Sequence, residues 1–98
     1  MYKDIISYEL ADDVEIDQLI SIAKEIVDDW MKNQPGFLKW EIHSNEDGTY
    51  TDIVYWKSKE AAKKAELAMV NIAQAADWFD CYKTDTITSK NLTTVASF

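Results

Sequence analysis

One side chain in this 98-residue sequence titrates near neutrality without help, so an imidazole base here must be His43. It stands two residues before the Asn45-Glu46-Asp47-Gly48 segment, at the outer end of a strand-like run and on the face opposite Trp40. The bland reading of such a residue is a rim histidine in solvent or at an interface. Three phenols, Tyr8, Tyr50 and Tyr55, add donors that could steady an anion. Tyr8, Trp40, Tyr50, Val54 and Trp56 fall at positions that would floor a flat aromatic cavity, with the alanine-rich stretch around Ala65 above it. Trp30 and Trp78 lie near helix ends, where they would close its mouth or serve as ordinary plugs. Large aromatics facing alanines either interlock as core or leave a void that admits a ligand. The residues carried forward are His43, Tyr8 and Tyr55 as catalytic candidates, and Tyr8, Trp40, Tyr50, Trp56, Ala65 and Trp78 as pocket lining.

Other chemistries are poorly supplied. Cys81 is the single cysteine, so an intrachain disulfide is impossible, a zinc site has no thiolate set, and a semi-buried structural thiol is the default. Glu25, Asp28 and Asp29 read as a solvated helix face, as do Asp77 and Asp80, and no metal site is expected. With only Gly36 and Gly48 present, glycine-rich phosphate loops and a Gly-x-Ser-x-Gly elbow are excluded, and no cofactor motif is found. The net charge of −8, from 18 acidic and 10 basic residues without a basic cluster, argues against nucleic acid and anionic membrane surfaces as partners. The opening MYKDIISYEL is too short and too alternating for a signal peptide, and no apolar run reaches membrane length. A cytoplasmic location is expected.

The elements that would position these residues follow from periodicity. Residues 3–11 alternate, with Ile6, Tyr8 and Leu10 on one side of a strand. Asp12 with Glu15 resembles a capping box, and Ile16, Leu19, Ile20, Ala23, Ile26, Val27, Trp30 and Met31 then form a helical stripe that stops before Pro35-Gly36. Leu38, Trp40 and Ile42 share one face of a second strand, against Phe37, Lys39, Glu41 and His43 on the other. Asp47-Gly48 turns the chain into a third strand, Tyr50 to Trp56. Ser58 caps a second helix whose stripe runs from Ala61 to Phe79, with Asn71 as its breaking point. A last strand belongs within 84–95, centred on Thr86-Ile87-Thr88. The order β-α-β-β-α-β predicts one α+β domain over residues 1–98, with a four-stranded antiparallel sheet and both helices on one face. The bare face, carrying Phe37, Ile53 and Tyr55, is too apolar to stay wet, so a homodimer through it is expected.

Pro35-Gly36-Phe37-Leu38, the Asp47-Gly48 turn, and Trp56-Lys57-Ser58 followed by Glu60-Ala61-Ala62 and Ala65 resemble the signature of the dimeric α+β barrel superfamily, nearest its antibiotic-biosynthesis-monooxygenase-like proteins. The resemblance covers nearly the whole chain in element order and is specific over residues 35–65. It implies a dimer with a cavity between sheet and helices, but no single reaction, since one such fold hosts many. Haem-degrading members of that superfamily carry a Trp where this chain has Ala65, and an iron-ligating His near Ala73-Gln74-Ala75-Ala76, so the haem branch is disfavoured. Two functions follow. One is a cofactor-independent monooxygenase acting on a small aromatic or enolisable molecule. The other is a non-catalytic dimeric module that binds a small hydrophobic ligand or acts as a stress-associated subunit.

Overall fold

The computed structural model describes residues 1–98. Strand β1 (Tyr2–Tyr8) leads to helix α1 (Ile16–Asp29), the hairpin β2 (Phe37–Ser44) and β3 (Tyr50–Trp56), helices α2 (Lys59–Ala68) and α3 (Ala75–Phe79), and strand β4 (Thr88–Thr93). The sheet order is β2-β3-β1-β4, antiparallel throughout, which is the ferredoxin-like arrangement. Alternation is strict on the central strands. Tyr2, Ile6 and Tyr8 of β1 and Val54 and Trp56 of β3 turn to the helices and join Leu19, Ile26, Ala62, Ala65, Ile72 and Trp78 in one core.

Three local features depart from the sequence reading, and a fourth, the break near Asn71, follows it. Helix α1 starts at Ile16, and its N-cap Glu15 makes no side-chain cap bond, so the Asp12 capping box does not form. Asp12 and Asp13 instead occupy a turn closed by Val14 N–H donating to the Ala11 carbonyl at 3.0 Å, which carries Val14 inward against the core. In β2 the register against β3 shifts between Phe37 and Lys39, leaving Leu38 bulged and 40% exposed. That extra residue turns Phe37 to the helix side, edge-on to Trp56 at 5.6 Å, and off the bare face. The second helical stripe breaks at Met69–Asn71, ahead of Ile72, so that Ile72 and Trp78 return to the core while Leu67 and Val70 face solvent. Finally, residues 84–86 form a single 3-10 turn, and β4 begins only at Thr88.

The hairpin and the helix start are built as their residues dictate. Gly48 closes the β2–β3 turn at φ +88°, and Ser58 Oγ accepts from Ala61 N–H at 3.1 Å to cap α2. Lys3, Ile5, Ser7, Glu41, Ile53, Tyr55 and Leu92 lie on the sheet face away from the helices, and no element of this chain covers them. No helix is long and apolar enough to cross a membrane.

Gly36 has φ +84°, and a Cβ there would sit 2.6 Å from the Ala61 Cβ, so the chain needs glycine at this point for both conformation and space. Gly48 shares the positive φ but has nothing within 4 Å. Gly48→Ala is therefore expected to cost about 1–2 kcal/mol, the left-handed penalty alone. Gly36→Ala should cost about 1–3 kcal/mol beyond that through overpacking. Equilibrium urea unfolding of the two variants checks the difference, and equal losses would show that α2 yields without cost.

Candidate functional site

The decisive residue is Asp52. It sits mid-way along a central strand, opposite Ile6 on one side and Ile42 on the other, and alternation with Tyr50, Val54 and Trp56 forces its carboxylate toward the helices. It is 2% exposed and is the one buried charged or polar residue of the chain. Its Oδ1 accepts from the Tyr8 hydroxyl at 2.6 Å, and its Oδ2 accepts from Trp40 Nε1 at 3.2 Å and the Tyr82 hydroxyl at 3.4 Å. No cation is among these partners. Burial therefore dominates, and although the three donors favour the anion, the carboxyl is pushed up to about 6.

The donors are themselves fixed from several elements. Residues 9–11 pair with 81–83 through a Leu10–Tyr82 bridge, Lys83 N–H to the Glu9 carbonyl at 2.9 Å, and Ala11 N–H to the Cys81 carbonyl at 2.9 Å. This brings the Tyr82 ring to 4.5 Å from Tyr8, edge to face, and lets Trp78 Nε1 donate to the Tyr82 hydroxyl. Burial raises the pKa of both phenols well above the ordinary tyrosine range, as does the neighbouring carboxylate. Tyr8 and Tyr82 therefore keep their protons and act as donors. Asp52 is the buried group poised to exchange one near neutrality.

Asp52 opens onto a cavity of about 380 Å³ between sheet and helices, walled by Trp40, Val54, Trp56, Trp78 and Met31. That volume suits a ligand of a few rings. Of the residues proposed from sequence, Trp40, Trp56 and Trp78 line this space. Tyr8 reaches it through Asp52, Tyr50 stacks behind Tyr8 at 6.2 Å, and Ala65 is buried in the α2 core contact. The structure does not bring His43 or Tyr55 to it. Both lie on the opposite sheet face, where Glu41 accepts from Tyr55 at 2.7 Å and pairs with His43 at 3.2 Å and Lys39 at 3.2 Å. Cys81 is fully buried and donates to the Asp77 carbonyl at 3.3 Å, remote from any nucleophilic role.

Sequence reading missed Asp52 and Tyr82. The available signal for Asp52 was an acidic residue at an inward position of the otherwise aromatic strand Tyr50–Trp56. Tyr82 reaches the carboxylate only through the 9–11/81–83 pairing, which lies outside every regular element.

Because folded Asp52 binds its proton more tightly than the unfolded chain does, its protonated form stabilises the fold. That contribution is complete below about pH 4 and is lost as pH rises through about 6. Asp52→Asn, a neutral stand-in for the protonated acid, should therefore gain about 2–3 kcal/mol relative to wild type between pH 4 and pH 7.5. Chemical denaturation at the two pH values measures this difference, and a pH-independent gap would mean that Asp52 is not perturbed.

No protein-family model matches the sequence, and no curated protein matches it either. Solved structures do. A variant of SnoaB, a cofactor-independent oxygenase from Streptomyces nogalater, superposes with TM-score 0.75 at 16% identity over 98% of this chain and 94% of that one. A monooxygenase from the gene ActVA-Orf6 of Streptomyces coelicolor, in complex with nanaomycin D, gives 0.72 at 17% identity over 99% and 89%. A variant of MhuD with two manganese protoporphyrin IX bound per active site gives 0.72 at 17% identity over 100% and 98%. The chain therefore shares the α+β, ferredoxin-like fold of these proteins.

Proposed function

We propose that this protein is a cofactor-independent monooxygenase of a small aromatic or enolisable compound, with Asp52 as the base that generates the substrate anion. The observation that carries the reading is a buried carboxylate, without a cation, facing an apolar cavity of about 380 Å³. Fold likeness to SnoaB and to the ActVA-Orf6 monooxygenase supports the reaction class. A methylene acidified by a neighbouring carbonyl illustrates the chemistry. Asp52 takes one C–H proton, the resulting carbanion delivers electrons to dioxygen, and a C–O bond forms. Loss of the second C–H proton then makes the C=O bond as the O–O bond breaks, and the outer oxygen leaves as water. Carbon is oxidised by four electrons and dioxygen is reduced by four, so the substrate itself is the reductant. The aromatic walls exclude water from the anion, and the Tyr8 and Tyr82 hydroxyls hold Asp52 in place.

Oxygen uptake with anthrone and a panel of hydroxynaphthalenes tests this. Asp52→Asn should lower kcat about 10²–10⁴-fold as general-base loss does, and Tyr8→Phe roughly tenfold through one lost hydrogen bond. Wild-type kcat/KM should rise with pH through about 6, as the carboxyl ionises. Ligand-dependent thermal stabilisation without product, across the panel, would replace this reading with the non-catalytic binding module.

The same reading places a second copy of the chain over the bare sheet face, where Ile5, Ile53, Tyr55 and Leu92 lie uncovered by any element of the chain. Light scattering at micromolar concentration is expected to give twice the 11.3 kDa chain mass for wild type and a single chain mass for Ile53→Asp. A monomeric wild type would overturn the assembly while leaving the chemistry to stand on its own test.

A further inference from the structure

Two walls of the cavity reach the base by different routes. The Trp40 indole donates straight to Asp52 Oδ2 at 3.2 Å. Trp78 faces Trp40 from α3, with 5.4 Å between ring centroids. Its Nε1–H donates to the Tyr82 hydroxyl, and that hydroxyl donates in turn to Oδ2 at 3.4 Å. Trp78 thus meets the cavity with its ring and the carboxylate through one intervening hydroxyl. Both members of this relay are held in place. Trp78 is 7% exposed and stacks on Phe79 at 5.0 Å. Tyr82 is fixed by its bridge with Leu10 and by its ring against Tyr8.

The direction of the two bonds is set by chemistry. An indole nitrogen can only donate, so the Tyr82 oxygen accepts from it and turns its own proton to the carboxylate. A hydroxyl that accepts one hydrogen bond becomes a better donor in the next. The indole bond acts on Tyr82 in that sense, against the burial and the Asp52 charge that hold its proton. The two carboxylate oxygens are also unequally placed. Oδ1 is taken at 2.6 Å by Tyr8, which stands behind the cavity, whereas Oδ2 receives the longer bonds from Trp40, a wall, and from Tyr82. Besides the two phenols, the His43 charge from β2 favours the anion slightly, and Asp4 of β1 with Lys63 and Glu66 of α2 share the cavity lining. Helices α1 and α3 add no titratable side chain to that lining.

We propose that Trp78 is a positioning residue for the base: through the Tyr82 hydroxyl it aims Asp52 Oδ2 at the cavity, so that the wall on which a substrate ring lies and the oxygen that takes its proton are set together. The catalytic consequence rests on the monooxygenase reading. In the step served, the substrate C–H bond breaks, its proton bonds to Oδ2, and the electron pair stays on carbon for dioxygen. Tyr8 keeps its bond to Oδ1 throughout. Cutting the relay weakens or removes a donor to Oδ2, which disfavours the anion and raises the pH at which Asp52 ionises. A residue that served only as a wall predicts the reverse. A smaller ring at position 78 would admit water, and hydration lowers a carboxyl that burial has raised.

The test follows the Asp52 carboxyl carbon of the full chain by NMR across pH, its signal identified by its absence from Asp52→Asn. The pH profile of kcat/KM for anthrone oxidation is measured beside it. Tyr82→Phe is expected to move the midpoint upward from about 6 by about 0.5–1 pH unit, the effect of one hydrogen bond. Trp78→Phe, which keeps an aromatic ring and removes the N–H, should move it the same way by a smaller step. The double variant should match Tyr82→Phe alone, and the kcat/KM profile should follow the carboxyl in each protein. A midpoint that falls or stays put in Trp78→Phe overturns the proposal, as does a Trp78→Phe shift undiminished in the Tyr82→Phe background. If Trp78→Phe does not fold, an unmoved midpoint in Tyr82→Phe overturns it instead. The expected NMR shifts in a protein that takes up no oxygen would uphold the relay and sink the monooxygenase reading.

Discussion

The constraint on which the structure turns is a carboxylate placed where a hydrophobic residue would be the ordinary choice. Asp52 occupies an inward position of a central strand, between Ile6 and Ile42 in register. An aspartate there must either be neutral or be surrounded by donors, because an unpaired buried charge is among the costliest things a fold can contain. The chain supplies donors from three directions: Tyr8 from β1, Trp40 from β2, and Tyr82 from the segment after α3. The irregular 9–11/81–83 pairing fixes Tyr82, and Trp78 donates to it. Much of the packing at this end of the molecule can be read as the means of keeping one acid satisfied without a cation.

That arrangement also accounts for the cavity. Trp40 and Trp78 meet at 5.4 Å, tilted by 55°, and each indole N–H is held by a polar partner, Asp52 for Trp40 and Tyr82 for Trp78. On the helical side, Ala62 and Ala65 are buried in the same core as Trp56. The small alanines and the large aromatics therefore interlock along one part of the interface. Farther along the strand, Trp40 and Trp78, each held by a polar partner, wall the cavity. Close packing and a void thus coexist, with Trp56 belonging to both.

The fold was legible in the sequence because it depends on patterns that survive without tertiary context. Alternation in Tyr50–Trp56, the Asp47-Gly48 turn, the Ser58 cap and the stripe through α1 each specify one local structure. The misreadings share a physical cause. Asp12 offers a plausible cap, but it lies in a turn that brings Val14, partly buried, against the core. Phe37 alternates correctly until a bulge at Leu38 resets the face. In both cases burial of one apolar side chain overrode a local preference. The site was only partly visible for a different reason. Trp40, Trp56 and Trp78 announced themselves by size, whereas attention to the imidazole favoured His43, since an aspartate titrates near neutrality only after burial. Composition cannot display that shift.

The two faces of the sheet make this point within one pair of strands. Glu41 and Asp52 belong to neighbouring rungs of the β2–β3 ladder, Glu41 opposite Ile53 and Asp52 opposite Ile42, and each carboxylate gathers three side-chain partners. On the outer face Tyr55, His43 and Lys39 hold Glu41 down to about 2, in that order of influence. On the inner face Tyr8, Trp40 and Tyr82 fail to hold Asp52 below about 6. Partner number is equal, so the contrast comes from burial and from the Lys39 ammonium beside Glu41. A group held that low stays ionised and can anchor a surface but cannot trade protons at neutral pH. The inner acid, lifted into the working range, can. The sheet thus separates a face whose carboxylate stays ionised from a face whose carboxylate is lifted toward neutrality, and one residue of register decides which is which.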